Sequence, residues 1–221
     1  VASPWVAGSE RDRLRATKRE AVLRTAARMF NEKGFHATSL DEVAERLHIT
    51  KPTLYYYVKN KDEILFECVS IGLQMLQDAI EAERDRGGRA IDQLAAAMRS
   101  YVEIVTQDYG MCIIRVGEDP LPPENQRALR SFKARLDAHF RELVRLGIEE
   151  GSIRPCDPKI AAFTLAGALS WIGRWYRPEG PLAPAEIARQ CIDLLTSGMC
   201  TPRGRARLRP ALADTAAKLS A

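Results

Sequence analysis

The side chains best suited to chemistry stand together between Thr50 and Asp62: Thr50-Lys51-Pro52-Thr53-Leu54-Tyr55-Tyr56-Tyr57-Val58-Lys59-Asn60-Lys61-Asp62. Hydroxyls, ammonium groups and phenols alternate there with the apolar Leu54 and Val58. A set of this kind offers hydrogen-bond donors and positive charge, which phosphate oxygens and the edges of bases accept. It is poorly equipped for catalysis. The three histidines, His36, His48 and His139, form no metal-spaced pair, and no Walker-type loop, GxSxG elbow or GxGxxG run occurs. No cofactor or metal is implied, and an enzyme is the weakest of the readings weighed. Five cysteines, Cys68, Cys112, Cys156, Cys191 and Cys200, are scattered and odd in number, so neither a disulfide framework nor CxxC spacing is present. They read as reduced, packed thiols, with a redox-sensing role left open.

The elements that must carry the Thr50–Asp62 segment are legible in its surroundings. Between Arg19 and Lys33, Val22, Ala26, Met29 and Phe30 recur at helical spacing and Gly34 stops the pattern. Ser39 and Glu42 stand in capping-box spacing before a short second helix whose buried face is Leu40, Val43, Ala44 and Leu47. His48 and Ile49 make a break. Thr50 then caps a third helix with Pro52 in its first turn, where a missing N–H costs little. Two short helices joined by a tight turn, the second opening with small polar, basic and aromatic residues, have the layout of a helix-turn-helix. Leu54 and Val58 pack on the helices behind; Lys51, Thr53, Tyr55, Tyr56 and Tyr57 are left to face outward or flank the core. Each has a plainer reading: three successive tyrosines as core aromatics, Lys59 and Lys61 as solvated turn lysines.

The block from about Arg19 to Leu65 resembles the tetracycline-repressor (TetR) family. Thr38-Ser39-Leu40-Asp41-Glu42-Val43-Ala44, the Thr53-Leu54-Tyr55 triplet and the closing Asn60-Lys61-Asp62 turn carry the likeness together. His48 departs from it, because the family commonly has glycine in that turn. The resemblance implies a DNA-binding transcriptional regulator, by default a ligand-released repressor acting as a homodimer on a pseudo-palindromic double-stranded operator. An architectural DNA binder without ligand response is the alternative. By the same resemblance Lys51, Pro52, Thr53 and Tyr56 approach bases or the nearby sugar–phosphate, while Tyr55, Tyr57 and Lys61 grip phosphates. Thr38 and Thr50 cap helices and donate to phosphates as well.

Charge is segregated in a compatible way. Residues 9–61 hold twelve Lys/Arg against seven Asp/Glu, +5; residues 62–202 hold sixteen against twenty-one, −5; the tail from Arg203 returns to +4. A basic block suits a polyanion partner for that block alone. The resemblance implies a helix-turn-helix domain (16–61) followed by a ligand-binding and dimerisation domain (62–202). A flexible basic arm (1–15), whose Arg11, Arg13 and Arg15 with Lys18 suit solvent or DNA equally, and a basic Arg/Ala-rich tail (203–221), poorly ordered at least in part, are expected to flank them. No stretch approaches the roughly 20 apolar residues of a membrane helix, and the first residues do not read as a signal peptide, so the cytoplasm is expected and no membrane partner.

The second half continues as helices, about 62–84, 90–107, 125–150, 157–175 and 184–199, punctuated by glycine and proline, Gly110 among the breaks; strand patterns are missing and the fold reads as all-α. Met75, Met98, Tyr101, Val105, Tyr109, Phe132, Leu136, Phe140, Trp171 and Trp175 are of the types that line small-molecule cavities, although each suits ordinary core equally well. Arg174 and Arg177 beside the tryptophans suggest an apolar effector with an anionic end, acyl-CoA-like or an aromatic acid. The small residues Ala162, Ala166, Ser170 and Gly173 form a stripe that a partner helix can approach closely, and with Ile187, Cys191, Leu194 and Leu195 they suit the four-helix dimer seam that the resemblance implies; packing within one chain reads similarly.

Overall fold

The computed structural model describes residues 4–86 and 88–202. These residues form α1 (Pro4–Lys33), α2 (Leu40–Arg46), α3 (Lys51–Tyr57), α4 (Lys61–Arg86), α5 (Ala90–Val105), α6 (Asp108–Val116), α7 (Pro123–Glu149), α8 (Pro158–Trp175) and α9 (Pro184–Ser197). The only extended pairing among them is one isolated bridge between Ile153 and Cys200. The fold is all-α, as expected. The tail expected at 203–221 lies outside the described residues.

The first three helices form where capping chemistry and apolar spacing coincide. α1 buries Val22, Leu23, Ala26, Ala27, Met29 and Phe30. It ends at Gly34, whose φ of +89° suits glycine and whose N–H reaches the Phe30 carbonyl at 3.0 Å. α2 opens on a complete capping box: the Ser39 hydroxyl accepts from the Glu42 N–H, and the Glu42 carboxylate accepts from the Ser39 N–H. Thr50 caps α3 by accepting from Thr53 N–H, with Pro52 inside the first turn. His48 takes the left-handed turn between them at φ +53°, the conformation for which glycine would be the unstrained residue.

Two expectations are corrected here. The stretch read as a flexible arm is helical from Pro4 onward, because α1 continues through residues 4–15 without a break. The helix α6 was not foreseen, since Gly110 reads as a breaker. A side chain at Gly110 would run into the Ile104 carbonyl at the end of α5, so this glycine permits a tight α5–α6 corner. Gly72 in α4 does similar service: a Cβ there would lie 2.7 Å from Ile113 Cδ1 and 3.0 Å from the Tyr109 carbonyl of α6.

The larger core centres on α5, whose Ile91, Leu94, Met98, Val102 and Val105 are almost wholly buried. α4, α6, α7, α8 and α9 pack around it, and α6 also packs against α1. Burying this many aliphatic side chains, about 1.5–3 kcal/mol each, offsets the ordering entropy of the helices.

Candidate nucleic-acid interface and effector cavities

Helix α3 divides cleanly into a buried and an exposed side. Leu54 is fully buried and Val58 nearly so, packed with the core of α1 and α2. Lys51, Pro52, Thr53, Tyr55 and Tyr56 are exposed, Tyr56 at 62%. Tyr57 is half-buried against the core, its ring edge-on to Tyr56 at 5.1 Å. The exposed side therefore presents an ammonium, a hydroxyl and two phenols on one short helix held from behind, the arrangement that groove insertion requires. Lys51 is held in place by Asp41 of α2, Nζ–Oδ1 2.8 Å, and this carboxylate raises its pKa above the usual lysine value. The Thr50 hydroxyl lies 2.8 Å from that of Thr53, so both remain at the surface.

Two of the expected phosphate contacts are corrected. Lys61 points back into the protein: its Nζ donates to the carbonyls of Phe35 (2.9 Å), Thr38 (3.1 Å) and His36 (3.4 Å) and sits over the Phe35 ring. The three donors of its ammonium are directed at carbonyls of the α1–α2 connection rather than outward to a phosphate. Thr38 is buried at 2% exposure, and its hydroxyl donates to the Gly34 carbonyl at 2.8 Å. Ser39, rather than Thr38, caps α2.

Two arginines of α1 bear on this face: Arg15, which the sequence leaves open between a solvated and a DNA-tracking role, and Arg19, to which it assigns none. Arg15 places its guanidinium 5.2 Å from the centre of the exposed Tyr56 ring, so α1 extends the cationic face beside α3. Arg19 donates from Nε to the Tyr57 carbonyl at the end of α3 (3.2 Å) and forks onto Glu67 of α4, with Glu63 at 3.8 Å. Hydrogen bonding to Glu67 raises its pKa against the opposing effect of burial. Neither residue carries a motif; only the crossing of α1 over α3 and α4 brings them there.

In the second half the candidate lining residues divide. Tyr101, Leu136 and Phe140 surround a narrow cleft with Leu76, Ala97 and Ser100, whose free space of about 10 Å³ matches one water. Met98, Val105 and Phe132 are plain core, and Met75 is half-buried beside it. Trp171 and Trp175 are corrected: they are 66% and 45% exposed on the outer face of α8 and line neither cavity. The small-residue stripe is corrected too. Ala162 is buried, Ala166 packs against the core, Ser170 shares a 2.7 Å hydrogen bond with the Tyr101 hydroxyl of α5, and Gly173 meets Ile114 of α6. Small residues were needed there because helices of the same chain cross closely. In α9, Ile187 is buried, Cys191 and Leu195 are half-buried and Leu194 is 73% exposed. The face of α8 that does lie bare carries Ile160, Phe163, Trp171 and Trp175.

The remaining candidates, Tyr109 and Arg174, line a separate crevice of about 1010 Å³ where α1 and α2 meet α6 and the end of α8. Its cations are all arginine: Arg24, Arg28, Arg46, Arg115, Arg174 and Arg177. Burial chiefly, with Glu20 close by, pushes the Tyr109 phenol well above its ordinary pKa. Arg115 is a clamp, donating to the carbonyls of Asn31 (2.9 Å), Gly173 (2.7 Å) and Tyr176 (2.5 Å) and so joining α6 to α1 and α8. The thiols complete the inventory: Cys68 and Cys112 are free and fully buried, and burial pushes Cys112 up to about 12, which suits packing rather than redox sensing.

A capped, outward-facing α3 supported by α1 and α2, joined through α4 to a larger helical body, defines the class of helix-turn-helix DNA-binding regulators. Comparison with known proteins gives the family. Residues 22–68 match the family "Bacterial regulatory proteins, tetR family", and residues 87–199 match "Tetracyclin repressor-like, C-terminal domain". The chain belongs to the TetR family of transcriptional regulators. It is 23% identical over 194 residues to the transcriptional repressor KstR2 of Mycolicibacterium smegmatis, covering 86% of this chain and 94% of that protein. Among solved structures it is similar to the ketosteroid regulator KstR2 of Mycobacterium tuberculosis, with a TM-score of 0.77, 22% identity and coverage of 83% and 95%. It is also similar to AibR in complex with isovaleryl coenzyme A and operator DNA, with a TM-score of 0.68, 27% identity and coverage of 80% and 96%.

Proposed function

We propose that this chain is a transcriptional repressor that binds a pseudo-palindromic operator as a homodimer and is released by a coenzyme A thioester. The observation that carries the reading is α3 itself: Leu54 is fully buried while Lys51, Pro52, Thr53, Tyr55 and Tyr56 stand exposed, so the helix enters a major groove without disturbing its support. Lys51 and Thr53 read base edges. Tyr55, Tyr56 and Arg15 hold the sugar–phosphate on either side. The partner copy covers the bare α8 face with Leu194 of α9, which sets the two recognition helices about 34–36 Å apart, one turn of B-DNA.

The thioester assignment draws on AibR, which binds isovaleryl coenzyme A, and on the arginine-rich crevice, whose cations suit the phosphates of such a ligand. The effector acts by binding one arrangement of the two domains better than the other. Two elements transmit its effect: α4, which runs out of the helix-turn-helix, and α6, which Asp108 and Arg115 bolt to Arg28 and Asn31 of α1. The protein then acts in the cytoplasm, and no catalytic step is assigned to it.

The experiment is selection of bound duplexes from a random pool, followed by titration of the complex with short- and medium-chain acyl-CoAs. Enrichment of a two-fold-symmetric site, altered base preference in Lys51→Ala or Thr53→Ala, and release by an acyl-CoA are expected. Indifference to duplex DNA at low salt overturns the reading.

A further inference from the structure

The crevice between the two domains is charged in a way that the protein leaves unbalanced. Six arginines line it against three carboxylates, Glu32, Asp108 and Glu179. Three of the arginines have carboxylate partners: Arg24 with Glu20 (2.8 Å), Arg28 with Asp108 (2.9 Å) and Arg46 with Glu32 (2.6 Å). The other three differ. Arg115 is satisfied by backbone carbonyls alone, Arg174 donates only to the Arg115 carbonyl at 3.3 Å, and Arg177 forms no ion pair among the described residues. Burial, with Arg177 and Arg174 close by, depresses the pKa of Arg115, so the like charges oppose one another. Arg115, Arg174 and Arg177 thus gather on one wall of the concavity with Glu179 as the one carboxylate there not bonded to another arginine, a local excess of positive charge that favours entry of an anion.

We propose that this crevice binds the phosphates of a small molecule, with Arg174 and Arg177 as the direct ligands and Arg115 as fixed charge behind them. The argument for phosphate is geometric. Every cation is a planar fork suited to bidentate contact with a tetrahedral oxyanion, and none is the point charge of a lysine. Volume points the same way: about 1010 Å³ admits a nucleotide-sized group, whereas the core cleft of about 10 Å³ does not. None of the exposed residues of α3 lines the crevice, so this is a second anion site apart from the DNA face. Because one wall is α1 and α2 and the other α6 and α8, phosphate held between them biases the angle between the two halves. Only that consequence rests on the regulator reading; the site itself rests on the arginines.

The test is calorimetric titration of the full chain with coenzyme A, with inorganic pyrophosphate and with citrate. It compares the native sequence, the Arg174→Ala/Arg177→Ala double variant, and an Arg145→Ala/Arg189→Ala control that removes equal charge from exposed helix surfaces. Coenzyme A or pyrophosphate should bind the native chain and the control alike and bind the crevice variant about tenfold or more weakly. Arginine-dependent binding of coenzyme A alone marks a nucleotide-bearing ligand; of pyrophosphate alone, free phosphate. Three results overturn the site: no binding of either probe, equal losses in variant and control, or citrate binding as tightly as the phosphates. Duplex selection with the same protein separates the two readings, since failure to enrich DNA while the arginine-dependent binding persists removes the regulator and leaves the site.

Discussion

At the scale of single residues, the polar side chains around the helix-turn-helix separate into those that hold it and those left over for DNA. Lys61 holds it. Removing its ammonium leaves three carbonyls without their donor, so Lys61→Ala should destabilise the fold by about 1–3 kcal/mol. It should leave the slope of log affinity against log salt unchanged, since a lost phosphate cation would reduce that slope by about one. Thermal melting and a salt titration of DNA binding check both halves. Glu42 also holds it. Lys33 first, then the Ser39 N–H and hydroxyl, bring its carboxylate down from 4.5 to about 2. A lowered folded-state value means that the unfolded chain binds the extra proton first, so the stabilisation is complete above about pH 4.5 and is lost as pH falls toward 2. Melting curves of Glu42→Gln against the native chain should differ at neutral pH and converge through that window.

At the scale of elements, the α2–α3 turn is bent at a residue unsuited to it. A non-glycine residue in the left-handed region costs about 1 kcal/mol or more. His48→Gly should therefore raise stability, with the gain reduced by glycine's greater freedom in the unfolded chain, and shift the melting temperature up by about 2–4 °C. A lower melting temperature would mean that the exposed His48 side chain supports the turn in some other way. The α5–α6 and α4–α6 contacts show the opposite economy: Gly110 and Gly72 are glycines because backbones approach there. Reading Gly110 as punctuation hid α6, the helix that ties the second half to α1.

At the scale of the whole molecule, the bare face of α8 is the surface that the proposed dimer would cover. Ile160, Phe163, Trp171 and Trp175 are exposed at 63%, 53%, 66% and 45% along one helix, large apolar side chains of the kind that mark an interaction surface. Trp171→Glu with Phe163→Glu should yield monomers by light scattering and weaken operator binding by at least tenfold, because one recognition helix loses the effective concentration supplied by the other. Retention of the dimer in that variant would move the interface elsewhere. Since both side chains point outward, the variant should still fold, which circular dichroism checks.

Much of this was legible before any coordinates. Cap residues act within three or four positions and helical periodicity is local, so Gly34, Ser39, Thr50 and Pro52 located the end of α1 and the helices α2 and α3, though not where α1 begins, and the exposed half of α3 followed from the burial of Leu54 and Val58. The Thr38–Ala44 stretch, the Thr53-Leu54-Tyr55 triplet and the Asn60-Lys61-Asp62 turn, taken together, were enough to name the family. What only the tertiary structure decided is which partner each side chain meets across the chain. Lys61 and Thr38 turn inward, Arg15 reaches Tyr56, the small face of α8 packs on α5 and α6 while its tryptophans face out, and six arginines from four separate segments gather around one crevice. Periodicity tells that a helix has two faces; which of them a neighbour covers depends on how helices distant in the chain cross, and no local pattern encodes that.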